Sequence, residues 1–373
     1  MNSFILRMVA ATVFAIALLA IPALAQKKYD PGVTDTEIKI GNITPYTGLF
    51  SEYGAEGRAE AAYFQMINDR GGINGRKINF VSVDDGSLAH KSVELAHKLI
   101  EQDGVLLIFS SFGTASNIPW TMGFFATYRT EGLAYAKYIL QSKSDAKIAV
   151  LYANSEAGKE YLVGLHDGLG EKASMMIVKE VSYENTDATL TSQIVALKSS
   201  GADVFINLAL GKFATQAIRM AYDIGWHPLQ FIPNASLSIA AFLDPAGPEK
   251  AAGIITNARS KGWLHTQERR DPAVREFLDW MSKYNRQASP RDQNNVAGYE
   301  RAQALVEVLK KCGDNLTRAN VMKQAASLDL ELGMLRPGIR ITTSPTDYQP
   351  IKQLYLIKFN GKDWVPLGQV IGD

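Results

Sequence analysis

Very little in this chain of 373 residues is placed to do covalent chemistry. Asp84 and Asp85 could act as a carboxylate pair, but neighbouring strand residues point to opposite faces, and acids just before a helix commonly cap it. They read as structural. His90 and His97 fall on one predicted helix and could share a face, yet no third ligand accompanies them. A solvated helix surface explains both. Cys312 is the only cysteine, so neither an internal disulfide nor a Cys-based metal centre can form. No phosphate-loop, nucleophile-elbow or H-E-x-x-H sequence occurs, and Gly168-Leu169-Gly170 lacks the third glycine of a dinucleotide fingerprint. The expectation is a protein that is not an enzyme, with no cofactor and no metal.

The elements that must position any binding groups follow a regular rhythm. Glu37 to Ile43 reads as a strand, with Ile38 and Ile40 on one face. Tyr53 to Asp69 reads as a helix, stopped by Gly71-Gly72. Lys77 to Val83 is the next strand, Leu88 to Gln102 a helix and Val105 to Phe109 a third strand. The second half repeats the pattern. Strands are expected at Lys147–Tyr152, Met175–Val181, Asp203–Leu208, Gln230–Ile232 and Gly253–Thr256. Helices are expected at 156–169, 189–199 (with Asp187 as N-cap) and 213–224, and later near 273–285, 296–311 and 318–326. Gln353 to Val365 looks like a hairpin turning at Asn360-Gly361. Alternation of this kind means parallel sheets covered by helices on both faces, with ligand sites on the loops at the carboxyl ends of the strands.

The N-terminus carries an address. Arg7 is the only charge among the first 26 residues, an apolar run follows to Ile21, and Ala23 and Ala25 stand at the −3 and −1 positions of a cleavage site. The run is shorter than the ~20 residues a membrane-spanning helix needs. Cleavage after Ala25 and delivery to the periplasm are expected, and Gln26 offers no thiol for a lipid anchor. Acidic and basic residues balance, at 38 and 39 in the whole chain. That gives no electrostatic reason to bind nucleic acid or an anionic membrane.

Glu37-Ile38-Lys39-Ile40-Gly41, Thr44-Pro45-Tyr46-Thr47-Gly48, Tyr53-Gly54, and Ile67-Asn68-Asp69 with Gly71-Gly72-Ile73-Asn74-Gly75-Arg76 follow one another in order. Asp84-Asp85, Ala297-Gly298-Tyr299 and the segment from Ile351 to Trp364 continue the series. Taken together they resemble the periplasmic leucine/isoleucine/valine-binding proteins. The resemblance implies two doubly wound parallel-sheet α/β lobes joined by a three-crossover hinge, the periplasmic binding protein-like I fold. Lobe one would be residues 36–125 plus 258–341, and lobe two residues 126–257 plus 342–373. It further implies a monomer that closes on a small amino acid, or a related carboxylate or amide, and docks on an inner-membrane ABC permease. Hinge closure of this kind requires no catalytic group. A ligand-sensing receptor subunit is the alternative role.

The same resemblance assigns site residues. Tyr53 would line the cleft from lobe one. Ser111, Phe112, Gly113 and Thr114, at a turn from strand to helix, would cradle a carboxylate. Asn234, Ala235 and Ser236 would meet the ligand's ammonium end from lobe two. Three departures stand against this pattern. Ala235 replaces the acid expected in the ammonium loop, and Ala157 replaces an aromatic wall residue. Third, the chain runs from Ser116-Asn117-Ile118-Pro119 directly into Trp120, where about one β–α unit of roughly 25–30 residues is expected. A lobe one shortened in this way would have an open sheet edge and would bind ligand weakly or not at all.

Overall fold

The computed structural model describes residues 27–113, 121–262 and 268–372. The export signal and Thr114 lie outside them. β1 (Lys28–Tyr29) is a short opening strand. The first sheet has β2 (Glu37–Thr44) at its centre, parallel to β3 (Lys77–Asp84) on one side and to β4 (Leu107–Ile108) on the other. Helix α1 (Gly54–Asp69) links β2 to β3, and α2 (Ala89–His97) lies between β3 and β4. Helix α1 stops at Gly71-Gly72, both at positive φ, where the Gly72 amide donates to the Ile67 carbonyl. A Cβ on Gly72 would stand 2.0 Å from the Arg76 carbonyl oxygen, so only glycine fits.

The chain then enters α3 (Tyr128–Ser142), whose first turn is held by Thr127, its hydroxyl accepting from the Thr130 amide at 3.1 Å. The second sheet follows. β5 (Ile148–Ala153), β6 (Ile177–Tyr183), β7 (Val204–Leu208), β8 (Leu229–Phe231) and β9 (Ile255–Ala258) are all parallel. Helices α4 (Glu156–Leu169), α5 (Thr191–Ser199) and α6 (Lys212–Asp223) connect the first four. Alternate β5 residues enter different cores. Ile148 and Val150 pack with Tyr161 and Phe231, while Ala149 and Leu151 pack with Phe205 and Phe213. A strand buried on both faces is what a helix-covered parallel sheet requires.

From β9 the chain returns to the first sheet, through α7 (Pro272–Tyr284), α8 (Asn294–Cys312), β10 (Asn315–Leu316) and α9 (Arg318–Ala325). β10 pairs with β1, and β11 (Asp329–Leu330) pairs with β12 (Ile341–Thr342). A last passage leads back to the hairpin β13 (Gln353–Phe359) and β14 (Trp364–Gly372), which joins β9 antiparallel and completes a seven-stranded sheet. The chain therefore passes three times between two sheets, each with its own core. Ile38, Ile40, Phe64, Phe277 and Leu309 belong to the first.

Several local expectations change. Asp187 does not cap a helix; α5 starts at Thr191, and the Asp187 carboxylate instead accepts from the Glu184 amide and the Gln193 side chain. The helix after β3 is regular only to His97 and finishes in a wider turn over Lys98–Gln102. The third strand of the first sheet is two residues long rather than five. Among the described residues it has a neighbour on one side only, and the carbonyls of Val105 and Leu106 are taken by the Arg318 guanidinium at 2.9 Å each. Asp84 and Asp85 are structural, as expected. Asp84 accepts from the amides of Tyr46, Thr47 and Gly86, and Asp85 from the Ser87 amide and the Ser92 hydroxyl.

Candidate functional site

Both parallel sheets present the carboxyl ends of their strands to one cavity of about 1170 Å³. Phe109 to Gly113 enter it after β4, Ser155 and Ala157 after β5, Asn185 after β6, Leu210 after β7, and Asn234 and Ala235 after β8. Open α/β sheets bind ligands at this end because the loops there carry no ladder hydrogen bonds and are free to specialise.

The wall from the first lobe is aromatic. Tyr53 stacks on Phe112, with ring centroids 4.8 Å apart and planes inclined by 29°, and Phe50 leans on both. Tyr53 also packs against the buried Phe242 of the second lobe, with centroids 5.8 Å apart. The Tyr53 hydroxyl is buried, which pushes its pKa well up and keeps it protonated. Beside this wall the chain turns sharply. Ser110 takes a left-handed φ of 57°, and its hydroxyl donates to Glu60 at 2.5 Å. Ser111 and Gly113 also line the cavity. The Phe112 amide in this turn donates to the Ile43 carbonyl at 3.1 Å, which ties the turn to β2.

The second lobe contributes a loop locked from behind. The buried Glu131 carboxylate accepts from the Asn234 amide at 3.0 Å and from the Asn257 side chain at 2.7 Å, and burial pushes its pKa up. The Asn234 side chain donates to the Asn257 carbonyl at 2.7 Å and accepts from Arg259 at 3.4 Å. Ser236 is turned away from the cavity. It sits in a helical turn over Asn234–Ser236, fully buried, with its hydroxyl donating to the Ala209 carbonyl. The Asn234 oxygen is shared with Arg259, the Ser236 hydroxyl is engaged with Ala209, and the Ala235 side chain adds no acceptor.

A buried charge cluster joins the passages between the lobes. The Arg259 guanidinium donates to Glu300 at 3.0 Å, and Arg301 pairs with Glu56 and, at 3.2 Å, with Glu60. The ring of Phe125, in the first passage, meets both cations, with its centroid 4.2 Å from Arg259 and 5.0 Å from Arg301. None of Phe125, Glu131, Arg259 and Arg301 was reached from sequence. Their partners lie too far along the chain to form a local motif, as with Glu56 and Arg301, which are 245 positions apart.

Burial dominates at Glu60 and pushes its carboxyl up to about 8, against the pull of Arg301 and Ser110. Because the folded value is raised, the native state holds this proton where the unfolded chain releases it. Glu60 therefore contributes stability that is complete below about 4.5 and lost as pH rises toward about 8. Urea midpoints are expected to fall across that window, with a slope approaching ~1.4 kcal/mol per pH unit from this group. Glu60→Gln is expected to flatten the slope; an unchanged profile in the variant would contradict the assignment.

The lobes also touch beyond the cavity. Arg291 pairs with Asp244 at 2.9 Å, the Ser238 hydroxyl donates to Asp292 at 2.8 Å, and the Ile239 amide donates to the Gln293 side chain at 2.8 Å. Among the described residues no cluster of His, Cys, Asp and Glu is arranged to hold a metal ion.

This arrangement has close counterparts. The Leu/Ile/Val-binding protein homolog 1 of Brucella suis biovar 1 (strain 1330) is 26% identical over 334 residues, covering 80% of this chain and 85% of that protein. Among solved structures, a branched chain amino acid ABC transporter protein from Thermus thermophilus with bound valine superposes with a TM-score of 0.79 at 16% identity, covering 91% of this chain and 98% of the other. A fatty acid ABC transporter substrate-binding protein from Thermomonospora curvata gives 0.76 at 22% identity, over 93% and 95%. These likenesses carry the fold. The family profile described as "Periplasmic binding protein" matches residues 37–118 and 114–363, nearly the whole of both lobes. Two helix-covered sheets facing one cavity across three passages thus have their explanation: the chain belongs to the periplasmic binding protein family.

Proposed function

We propose that the chain is the solute-capturing subunit of an ABC importer of the branched-chain or hydrophobic amino-acid class. It is exported, cleaved after Ala25, and works as a monomer that presents a closed lobe pair to an inner-membrane permease. The observation that carries this reading is the single cavity at the carboxyl ends of both parallel sheets, with an aromatic wall from one lobe and a braced polar loop from the other. In this reading the lobes divide as residues 36–125 plus 258–341 and 126–257 plus 342–373. A small carboxylate or amide lies between them, its acidic end at Ser111 to Thr114 and its apolar part against Tyr53 and Phe112. Asn234 and Ala235 form the facing wall. The family is one of binding proteins rather than enzymes, and a clamp of this kind works by closing on its ligand.

The two segments matched by the family profile meet at residues 114–118, where a β–α unit is expected. Together with the three-stranded first sheet, this supports a shortened lobe one. The test is isothermal titration of the processed protein against a panel of amino acids, short carboxylates and their amides. At least one is expected to bind, weakly because lobe one is shortened, and Tyr53→Ala is expected to weaken it further by about tenfold or more, the scale of losing a well-packed aromatic contact. A panel with no binder would overturn the reading.

A further inference from the structure

Asn42 stands where the first sheet calls for a third aliphatic residue. On β2 it follows Ile38 and Ile40 along one face, and like them it has no exposure. A buried amide is destabilising unless its hydrogen bonds are made. Here they are. Its Nδ2 group donates to the Phe109 carbonyl at 2.9 Å and to the Ser110 carbonyl at 3.1 Å. Its Oδ1 accepts from the Ser82 hydroxyl at 2.6 Å, across a register pair of β2 and β3. That bond uses the only proton of Ser82, so in the 2.7 Å contact between Ser82 and Tyr46 the tyrosine hydroxyl is the donor. The relay from Tyr46 through Ser82 fixes which end of the Asn42 amide faces the turn after β4.

The two carbonyls dictate where the neighbouring amides point. A trans peptide carries its N–H opposite its C=O, and no described peptide bond is cis. With the carbonyls of Phe109 and Ser110 turned in toward Asn42, the N–H groups of Ser110 and Ser111 are turned away from it. Neither N–H has an acceptor among the described residues. The amides on either side are taken, Phe109 by the Gly41 carbonyl at 2.7 Å and Phe112 by the Ile43 carbonyl. Ser110 and Ser111 both line the cavity, with the buried Asn42 beneath them. The turn is also held against a local preference. Ser110 has a left-handed φ of 57°, a region disfavoured for a residue with a Cβ, and its hydroxyl is anchored inward on Glu60.

We propose that Asn42 is a positioning residue for the ligand: from beneath the cleft it holds the N–H groups of Ser110 and Ser111 toward the cavity, as a paired donor for a carboxylate. The proposal rests on the solute-binding reading and deepens it. Negative charge is recognised by main chain, and the side chain that sets that main chain does not touch the ligand.

The test is isothermal titration of the processed protein with carboxylates and their own amides, starting with leucine and leucinamide, and butanoate and butanamide. The parent, Asn42→Leu, Ser82→Ala and the double variant Asn42→Leu with Ser110→Gly are compared. Asn42→Leu is expected to weaken a bound carboxylate by about tenfold or more, the scale of a hydrogen bond to a charged group, and its amide by about threefold or less, the scale of a neutral one. The preference for the charged form therefore shrinks. Adding Ser110→Gly is expected to restore part of that preference, because glycine enters the left-handed region unaided. A loss shared equally by carboxylate and amide would mean that Asn42 serves the core alone, and an unchanged preference would mean that it does not set the donors. Either result overturns this inference and leaves the solute-binding reading standing, as does a parent that binds amides but no carboxylate. If nothing in the panel binds the parent, both fall. Should Asn42→Leu fail to fold, Ser82→Ala decides, since it unties only the orientation of the amide: a smaller loss of the same preference is expected, and an unchanged preference refutes the role.

Discussion

Arg301→Met is expected to lower the stability of the folded chain by ~3–5 kcal/mol, the cost of breaking a buried ion pair from one side. Methionine matches the length of the arginine stem but leaves Glu56 and Glu60 without their cation, in a place where Glu60 has no exposure. A replacement of the whole cluster by apolar groups would be far milder, because the expense lies in the uncompensated charge rather than in the lost attraction. The loss should also depend on pH. Below about 8 the Glu60 carboxyl already holds a proton, so only Glu56 is stranded there, and the penalty grows as the solution becomes alkaline. Urea unfolding of the parent, Arg301→Met, Glu60→Gln and the double variant forms a cycle. The double variant is expected to recover part of the loss at alkaline pH; independent, additive effects would refute the coupling.

Gly164→Ala is expected to be nearly as damaging for a different reason. Helices α3 and α4 cross where two glycines meet. A Cβ on Gly164 would lie 2.1 Å from the Arg129 carbonyl oxygen, and one on Gly132 would lie 2.6 Å from the Tyr161 carbonyl oxygen. Both obstacles are backbone, so no side-chain rotation relieves them and the helices must part. Overpacking of this sort costs ~1–3 kcal/mol, and contact with main chain places it at the upper end. The effect reaches the site. Glu131 stands beside Gly132 on α3 and holds the Asn234 amide, so ligand affinity is expected to fall along with the thermal midpoint. Gly170→Ala is the control: its φ is +56° but nothing lies within 4 Å of the added atom. With ψ at −135° it sits in backbone territory suited to glycine, so the change is expected to cost ~1–3 kcal/mol of backbone strain, but with affinity unchanged.

The fold was legible wherever a segment's burial pattern is fixed by its own neighbours. The β5 run is apolar throughout because both of its faces are covered, and Gly71-Gly72 ends α1 for a reason contained in two residues. Tyr53, Ser111 and Asn234 could be placed near a cavity because the family resemblance assigns these positions. Orientation was less accessible. Ser236 follows the same strand as Asn234, yet the helical turn between them carries its hydroxyl to the Ala209 carbonyl. The charge cluster was invisible because Glu56, Phe125, Arg259 and Arg301 come together only through the three passages between lobes. Asp187 misled as a cap because an acid ahead of a helix can as readily hold a turn.

Phe125 has a bearing on how such a clamp can move. A ring in contact with both Arg259 and Arg301 fastens the first passage to the second and to the body of α8. Separate cords would let the lobes twist and slide as well as open. Two passages fastened together behave instead as a broad strap, which bends about one axis and resists torsion. In the proposed clamp the lobes would therefore return to the same register each time they shut, and a ligand would be met by the same pair of walls.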